Sequence, residues 1–400
     1  MLPLDEARQH VLDRVARLEP IEVPIADAGG LVLAADVVAA ELVPPFANTA
    51  MDGFAVQAAD TLGAPVTLQV IGTIAAGSTL DGEVGPGQAA RIMTGAPMPA
   101  GADAVVMVER TSLDEAAGTV EIHITVDVGN HVRGAGEDVQ PGDLLFPAGT
   151  RLTAGHLGVL ASVGVHTVSV VRRPRIGVIS TGDELVDDGR PLLPGEIRDS
   201  NRRTLLTLVA EAGWDAVDLG IAVDEPDAIR TAFLAGAASC DAILSSGGVS
   251  MGAFDYVKVV LDEIGDMRWM QIAIKPAKPF AFGLVGTTPV FGLPGNPVSS
   301  MVSFELLARP AIGFMAGDDD TALGLLRAVS EDTLEHPGDG KVHFLRVEGR
   351  VDETGRWHVR RAGGQGSHQL TAMARADALA LVPDGVDIAP GDEVQILPLR

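Results

Sequence analysis

The chain has 400 residues, 46% hydrophobic and 21% charged, with a formal net charge of -25. That length exceeds one ordinary core and predicts two to four domains. The acidity excludes nucleic acid as partner, since phosphate backbones need Lys/Arg-rich faces, and it speaks against anionic membrane surfaces.

A single cysteine, Cys240, rules out an intrachain disulfide framework or zinc quartet. The start, "MLPLDEARQH", has neither a basic nor an apolar signal region. No apolar run is long enough for a membrane span, so a cytoplasmic protein is expected. With 47 glycines and 25 prolines, turns and short strands are expected rather than a helical bundle.

Residues 3–18 read as an amphipathic helix, with Leu4, Ala7, Val11, Val15 and Leu18 on one face. From 21 to 150, short runs such as "VTLQVIGTI" and "TVEIHITV" broken by Gly, Pro and Asp predict β-structure. Residues 150–165 read as a helix, followed by "RRPR". From Arg175, strands ("RIGVIS", "AVDLGIAV", "DAILSS") alternate with helices, the first capped by Ser200 or Asn201. "FAFGLVGTTPVFGLP" reads as a hairpin, and Asn296 and Pro297 as a helix start. This alternation predicts a mostly parallel sheet with helices on both faces. The last 75 or so residues return to short strands, which predicts a small β-barrel or sandwich. The expected fold is thus multidomain, α/β and β. Its parts are a stalk (1–43 with 141–172), a β-rich insertion (44–140), an α/β domain (173–322) and a C-terminal β domain (323–400).

In an open parallel sheet, ligands bind beyond the C-terminal strand ends. Three Gly/Ser-rich loops leave strands there: "STGDEL" (180–185), "SSGGVSMGAFD" (245–255) and "GLPGNPVSS" (292–300). The first two carry Asp183, Glu184 and Asp255, and the third opens a helix whose N–H groups favour an anion. Asp224 follows the second strand and could cap the next helix. Each loop alone is more often a tight turn than a ligand cradle. Together they form a candidate site for a phosphate ester bridged by a hard cation such as Mg²⁺.

The chain has four lysines, and Lys275 and Lys278 lie together in "IKPAKP". Proline restricts itself and the residue before it, so the segment is expected to be extended, near polyproline II. Both lysines would then project from one side, roughly 9 Å apart, as an anion clamp rather than as two solubilising charges. Three further loops stand out: "PPFANTAMDGFAV" with Asp52, "RIMTGAPMP" with Thr94, and "GGQGSH" with Ser367 and His368. His368 has no acid or nucleophile at triad spacing.

These stretches, with "RGAGEDV", "GEIRDSN" and "GGQGSHQLTAMARADAL", occur in family order from residue 44 to about 380. Through them the chain resembles the molybdopterin molybdenumtransferase (MoeA-like) family, which includes the gephyrin E domain. The resemblance implies an enzyme that inserts molybdate into adenylylated molybdopterin, with Mg²⁺-dependent cleavage releasing AMP. It also implies a homodimer with an elongated four-part chain, and an upstream molybdopterin adenylyltransferase as a possible partner.

Matched by motif, Asp52, Thr94 and Asp138 complete the catalytic set with Glu184, Asp224, Asp255, Lys275 and Lys278. Lys275, Lys278, Arg346 and Ser367 are expected at the molybdate, and Asp183, Glu184 and Asp255 at the metal. Molybdopterin or its adenylate falls to Thr181, Gly182 and Asp183, to Ser246, Gly247, Gly248 and Ser250, and to Pro294 and Asn296. A molybdate oxygen or a water would attack the adenylate phosphorus. The chain departs from the family pattern at Ala277, where glycine is usual, and at Phe54, where tyrosine is common. Two other readings are a non-catalytic scaffold of the same fold and a related molybdopterin adenylyltransferase. The acid set with the lysine pair disfavours the first, and the extra β domains with "KPAKP" disfavour the second.

Overall fold

The computed structural model describes residues 1–248 and 256–399. The chain divides into two units. One comprises Met1–Ile21, Gly30–Ala34 and the residues from Ser169 onward, the other Glu22–Gly29 and Ala35–Val168.

The first unit is built on a six-stranded sheet. Its order is Asp215–Ala222, Arg175–Thr181, Ala242–Ser246, Thr288–Leu293, Pro279–Val285, Asp266–Gln271. The first four strands run parallel, and the expected hairpin supplies the antiparallel turn to the last two. Alternating side chains leave a strand on opposite faces. Ile176, Val178, Leu244 and Phe291 therefore pack one way, against Leu205 and Val209 of helix Ser200–Glu211, Val298 and Val302 of helix Pro297–Ser303, and Ala7 and Val11 of helix Leu4–Leu12. Ile179, Ile243 and Val290 pack the other way, against Phe233 of helix Pro226–Ser239 and Val260 of helix Tyr256–Ile264. With both faces covered, ligand access is left to the strand ends.

The same unit carries a closed five-stranded barrel. Strand Val342–Val351 pairs with Trp357–Arg361, and the ladder returns to it through Leu326–Ser330, Glu393–Pro398 and Ala378–Val382. Closure removes exposed strand edges. Leu345 and Val347 fill the barrel with Val359, Ala380 and Ile396. Phe344, of opposite parity, instead joins the core of the α/β sheet. Arg346 shares that parity.

The second unit holds a six-stranded sheet ordered Ala104–Met107, Gly53–Val56, Gln88–Ile92, Val66–Ile74, Thr119–Ile122, Thr111–Asp114. Among the described residues, no helix is long and apolar enough to cross a membrane.

Three local expectations are corrected. The N-terminal helix stops at Leu12 instead of 18. Leu18 donates its backbone N–H to the Met315 carbonyl at 2.9 Å, so tertiary bonding overrides helix propensity there. Helix Ser200–Glu211 is capped by Asp199, which accepts the Arg202 N–H. Helix Pro226–Ser239 has Glu225 at its N-cap, not Asp224.

The antiparallel strands 266–271 and 279–285 approach closely at Gly283. A Cβ there would lie 2.2 Å from the Asp266 carbonyl oxygen and 2.7 Å from Met267 Cα, both backbone. Gly283→Ala is expected to destabilise the fold by about 1–3 kcal/mol through overpacking, read as a lower urea midpoint at unchanged m-value.

Candidate functional site

The strand-exit loops are organised by the residues at the start of helix Ser200–Glu211. Asp199 is buried. Its carboxylate accepts the Ser180 hydroxyl at 3.1 Å, the Arg202 backbone N–H at 3.1 Å and Arg202 Nε at 2.9 Å. Arg202 is itself only 4% exposed and also pairs with Asp187 and Asp218. Burial works to lower its pKa, but Asp218 and Asp199 outweigh it and hold the guanidinium above its ordinary value. Beside it, Asn201 Nδ2 donates to Ser246 Oγ and to the Gly295 carbonyl, both at 2.7 Å. Three loops are thereby tied together: the helix start, the one after strand 242–246 and the one after strand 288–293. Asp199 and Asn201 stand in "GEIRDSN", with Arg202 next in the chain, but sequence reading gave a role only to Asn201, as a candidate helix cap.

Thr181 and Ser246 are buried at the ends of neighbouring strands. Gly247 has φ +97°, and a Cβ there would come within 3.0 Å of the Thr181 carbonyl oxygen. Gly248 has φ +68°. Gly295 abuts Gly247, with its Cβ direction 3.9 Å from Gly247 Cα. Pro294 is buried and Asn296 exposed, and Asn296 occupies the N-cap without a side-chain capping bond. Val298, one turn in, donates its N–H to the Ser367 carbonyl of the barrel at 3.2 Å.

Of the acids, Asp183 and Asp224 are brought together: Asp183 Oδ1 accepts the Asp224 backbone N–H at 2.9 Å. Glu184 folds back over Gly182, where a Cβ would lie 2.5 Å from its carboxylate. Asp183 and Glu184 are exposed, and among the described residues no cation pairs with either. These all-oxygen, uncompensated donors fit a hard divalent cation. Asp255 and Ser250 lie outside the described residues.

The lysine segment is not polyproline II. Ala277 has φ +76°, and Ile272 donates its N–H to the Lys278 carbonyl at 2.7 Å, so the chain turns back on itself. Ala277 is buried in the turn, and Lys275 and Lys278 are exposed. Neither ammonium has a partner among the described residues. Strand Ile274–Lys275 pairs in parallel with Val342 and His343 of the barrel. Lys275 and Gly366 both line a cleft of 770 Å³, with Gln365, His336, His343 and Arg361 among the other walls.

Arg346 is 0% exposed. Its Nη2 donates to the Gly364 carbonyl at 2.8 Å and the Gly366 carbonyl at 3.3 Å, while Nε and Nη1 have no partner. Gln365 clasps the backbone of Arg346, accepting its N–H at 2.9 Å and donating to its carbonyl at 3.0 Å. Among the described residues no carboxylate pairs with the guanidinium, and burial pushes it below its ordinary pKa. Ser367 follows on the same loop.

Among the described residues one histidine and acid cluster, His336, Asp339 and His343, has ligand atoms within 4.8 Å of one another. His336 Nδ1 accepts N–H groups of Gly338 and Gly385 at 3.0 and 3.1 Å, which leaves Nε2 to donate to the Lys341 carbonyl at 2.8 Å. Lys341 holds the Asp339 carboxyl down to about 2. With both His336 nitrogens engaged and a lysine on the acid, this cluster braces a turn.

In the second unit, Asp52 Oδ1 accepts both the Thr94 hydroxyl (2.6 Å) and the Thr94 backbone N–H (2.7 Å). Those bonds, hydroxyl first, hold the exposed Asp52 carboxyl below its ordinary pKa. Asp138 is exposed, and its backbone N–H donates to Val43. Among the described residues its side chain does not join the Asp52–Thr94 pair. Phe54 is buried in the sheet core beside Val106 and Val56, where a tyrosine hydroxyl would need a partner.

Comparison with known proteins accounts for this arrangement along the whole chain. Family models match in order: the MoeA N-terminal region (domain I and II) over residues 2–164, a probable molybdopterin binding domain over 177–313, and the MoeA C-terminal region (domain IV) over 334–399. A molybdopterin molybdenumtransferase of Haemophilus influenzae is 36% identical over 412 residues, covering 100% of this chain and 99% of its own. Molybdopterin molybdenumtransferase 2 of Mycobacterium tuberculosis is 38% identical, covering 99% of each. The crystal structure of a molybdopterin biosynthesis MoeA protein from Pyrococcus horikoshii superposes with a TM-score of 0.83 at 32% identity, covering 100% of this chain and 99% of that one. The chain belongs to the molybdopterin molybdenumtransferase family and is an enzyme of molybdenum cofactor biosynthesis.

Two consequences are measurable. Arg202→Ala leaves the buried Asp199 carboxylate uncompensated and is expected to cost about 3–5 kcal/mol in chemical denaturation. Thr94→Val removes the hydroxyl but keeps the backbone N–H, so it is expected to raise the Asp52 pKa part of the way towards the ordinary carboxylate range, read by carboxyl-carbon NMR. The Asp52 contribution to stability is full above its unfolded pKa and is lost as pH falls through the folded one, so this acid dependence is reduced in the variant.

Proposed function

We propose that the enzyme takes molybdate and adenylylated molybdopterin, cleaves the adenylate with Mg²⁺, and yields molybdenum cofactor and AMP. The observation that carries the reading is Arg346. A fully buried guanidinium with two unpartnered nitrogens and no carboxylate is costly unless an anion arrives. It lies one loop from Ser367, and the barrel strand that bears it pairs with the segment bearing Lys275. Molybdate is a tetrahedral dianion, whose acceptors and charge suit a guanidinium, two ammonium groups and a hydroxyl.

Thr181, next to the Ser180 that Asp199 holds, and the tied loops at Ser246–Gly248 and Pro294–Asn296 receive the adenylated pterin, with backbone brought close by glycine. Asp183 and Glu184, with Asp255, would hold Mg²⁺, which when bound neutralises phosphate oxygens. Asp224 positions Asp183 through its N–H. Asp52, Thr94 and Asp138 complete the catalytic set in this reading. The resemblance extends it to a cytoplasmic homodimer fed by an upstream molybdopterin adenylyltransferase.

Product analysis by mass spectrometry tests the proposal. AMP release from adenylylated molybdopterin is expected to require both molybdate and Mg²⁺ and to stop with a chelator. Lys275→Ala/Lys278→Ala removes charge-assisted hydrogen bonds of about 1.5–3 kcal/mol each. Molybdate-dependent turnover is therefore expected to fall more than about 100-fold. Accumulation of adenylate from ATP would instead mark an adenylyltransferase.

A further inference from the structure

The turn that carries the two lysines is held by three sets of backbone bonds. Ile272 N–H to the Lys278 carbonyl, at 2.7 Å, closes it. The barrel takes one flank: Val342 donates to the Ala273 carbonyl at 2.9 Å, and Ile274 and Lys275 pair with Val342 and His343. The other flank is taken by the second residue of the chain. Leu2 donates its N–H to the Gln271 carbonyl at 2.7 Å and accepts the Ala273 N–H at 2.8 Å, forming a parallel bridge centred on Ile272. The Leu2 side chain packs against the core that contains Ile272, Ile274 and Ala277. Two residues on, helix Leu4–Leu12 anchors the segment by burying Ala7 and Val11.

The segment 271–275 thus sits between the barrel and residue 2. Its own strand is two residues long, too short to fix a geometry alone. Lys275 and Lys278 are exposed and, among the described residues, unpartnered, so only the backbone sets where their stems begin. We propose that Leu2 is a positioning residue for the oxyanion clamp, its backbone bridge holding the lysine turn in the anion-binding geometry. This rests on the reading of Lys275 and Lys278 as molybdate ligands. Preformed spacing spares the ordering cost that a loose turn would meet on binding. Linkage requires the converse: an anion seated on the lysines tightens the bridge at residue 2.

The test uses the full chain and titration calorimetry with molybdate and, separately, AMP. Leu2→Pro removes the N–H that reaches Gln271, and Leu2→Ala keeps both backbone bonds while trimming the side chain. Loss of one backbone bond and its bridge is expected to weaken molybdate binding by about fivefold to tenfold in Leu2→Pro. Leu2→Ala is expected to stay within about twofold, and AMP binding to hold in both. Lys275→Ala/Lys278→Ala is the reference. Unchanged molybdate affinity in that reference overturns the clamp reading and this inference with it. A loss in the reference with none in Leu2→Pro overturns the inference alone. So does an equal loss of AMP and molybdate binding in Leu2→Pro, which would report a general defect of the fold. Wild-type protein gives an arm independent of variant folding. Molybdate is expected to slow amide exchange, read residue by residue by NMR, at the Leu2 and Ala273 N–H groups that flank the bridge, and no change at both overturns the proposal.

Discussion

The buried carboxylate of Asp199 is the constraint on which the ligand face of the α/β sheet depends. One group ends a strand by holding Ser180, starts a helix by capping it, and neutralises a guanidinium that is itself 4% exposed. A buried ion pair adds little net stability, because desolvation offsets attraction, but breaking it is expensive. Its effect is therefore to exclude other arrangements. With Asp199 and Arg202 locked, Asn201 has one place to go, and its amide spans Ser246 and Gly295. Three loops from separate strands are thus set relative to one another before any ligand binds, the preorganisation that a binding site requires.

The chain buries two arginines in opposite ways. Arg202 meets three carboxylates, and its charge is a structural fixture. Arg346 meets only glycyl carbonyls and keeps two nitrogens unpaired. Neutral carbonyls satisfy a hydrogen but do not cancel a charge, so the barrel strand retains an unspent positive potential in a dry place, where interactions with an anion are strongest. Beside it, the lysines supply charge that is exposed and screened. In the proposed reading the two kinds of cation would divide the labour: exposed lysines would attract the anion, and the buried guanidinium would fix its orientation.

Much of the fold is legible because parity and periodicity are local. Alternating strands and helices from Arg175 onward read directly as a two-faced sheet, and the hairpin follows from its glycines and its spacing. What sequence reading loses depends on burial. In "RDSN" three successive residues are good caps, and nothing local chooses Asp199; the buried Arg202 chooses it, because that guanidinium needs a carboxylate within reach. Arg346 has no sharp motif around it. It shares parity with Phe344, which puts it on the outer face of the barrel strand under the 364–366 loop instead of in the solvent, and that placement appears only once the barrel is closed. The acid loop splits similarly: Asp183 and Asp224 are 41 residues apart and meet through a backbone N–H that no spacing rule encodes.

The lysine turn shows where local rules conflict. Proline restrictions on Lys275 and Lys278 favour extended backbone, but the chain turns back through a cis Lys275–Pro276 peptide bond and a left-handed residue after it. Ala277 adopts φ +76°, a conformation that disfavours an L-residue by about 1–2 kcal/mol and that glycine would adopt freely. The alanine methyl is 3% exposed in a core with Ile272, Ile274 and Phe280. Burying a group of that size contributes about 0.8 kcal/mol, which offsets much of the backbone cost. Where the two lysine side chains begin is thus set by packing beneath them as well as by the strands on either side.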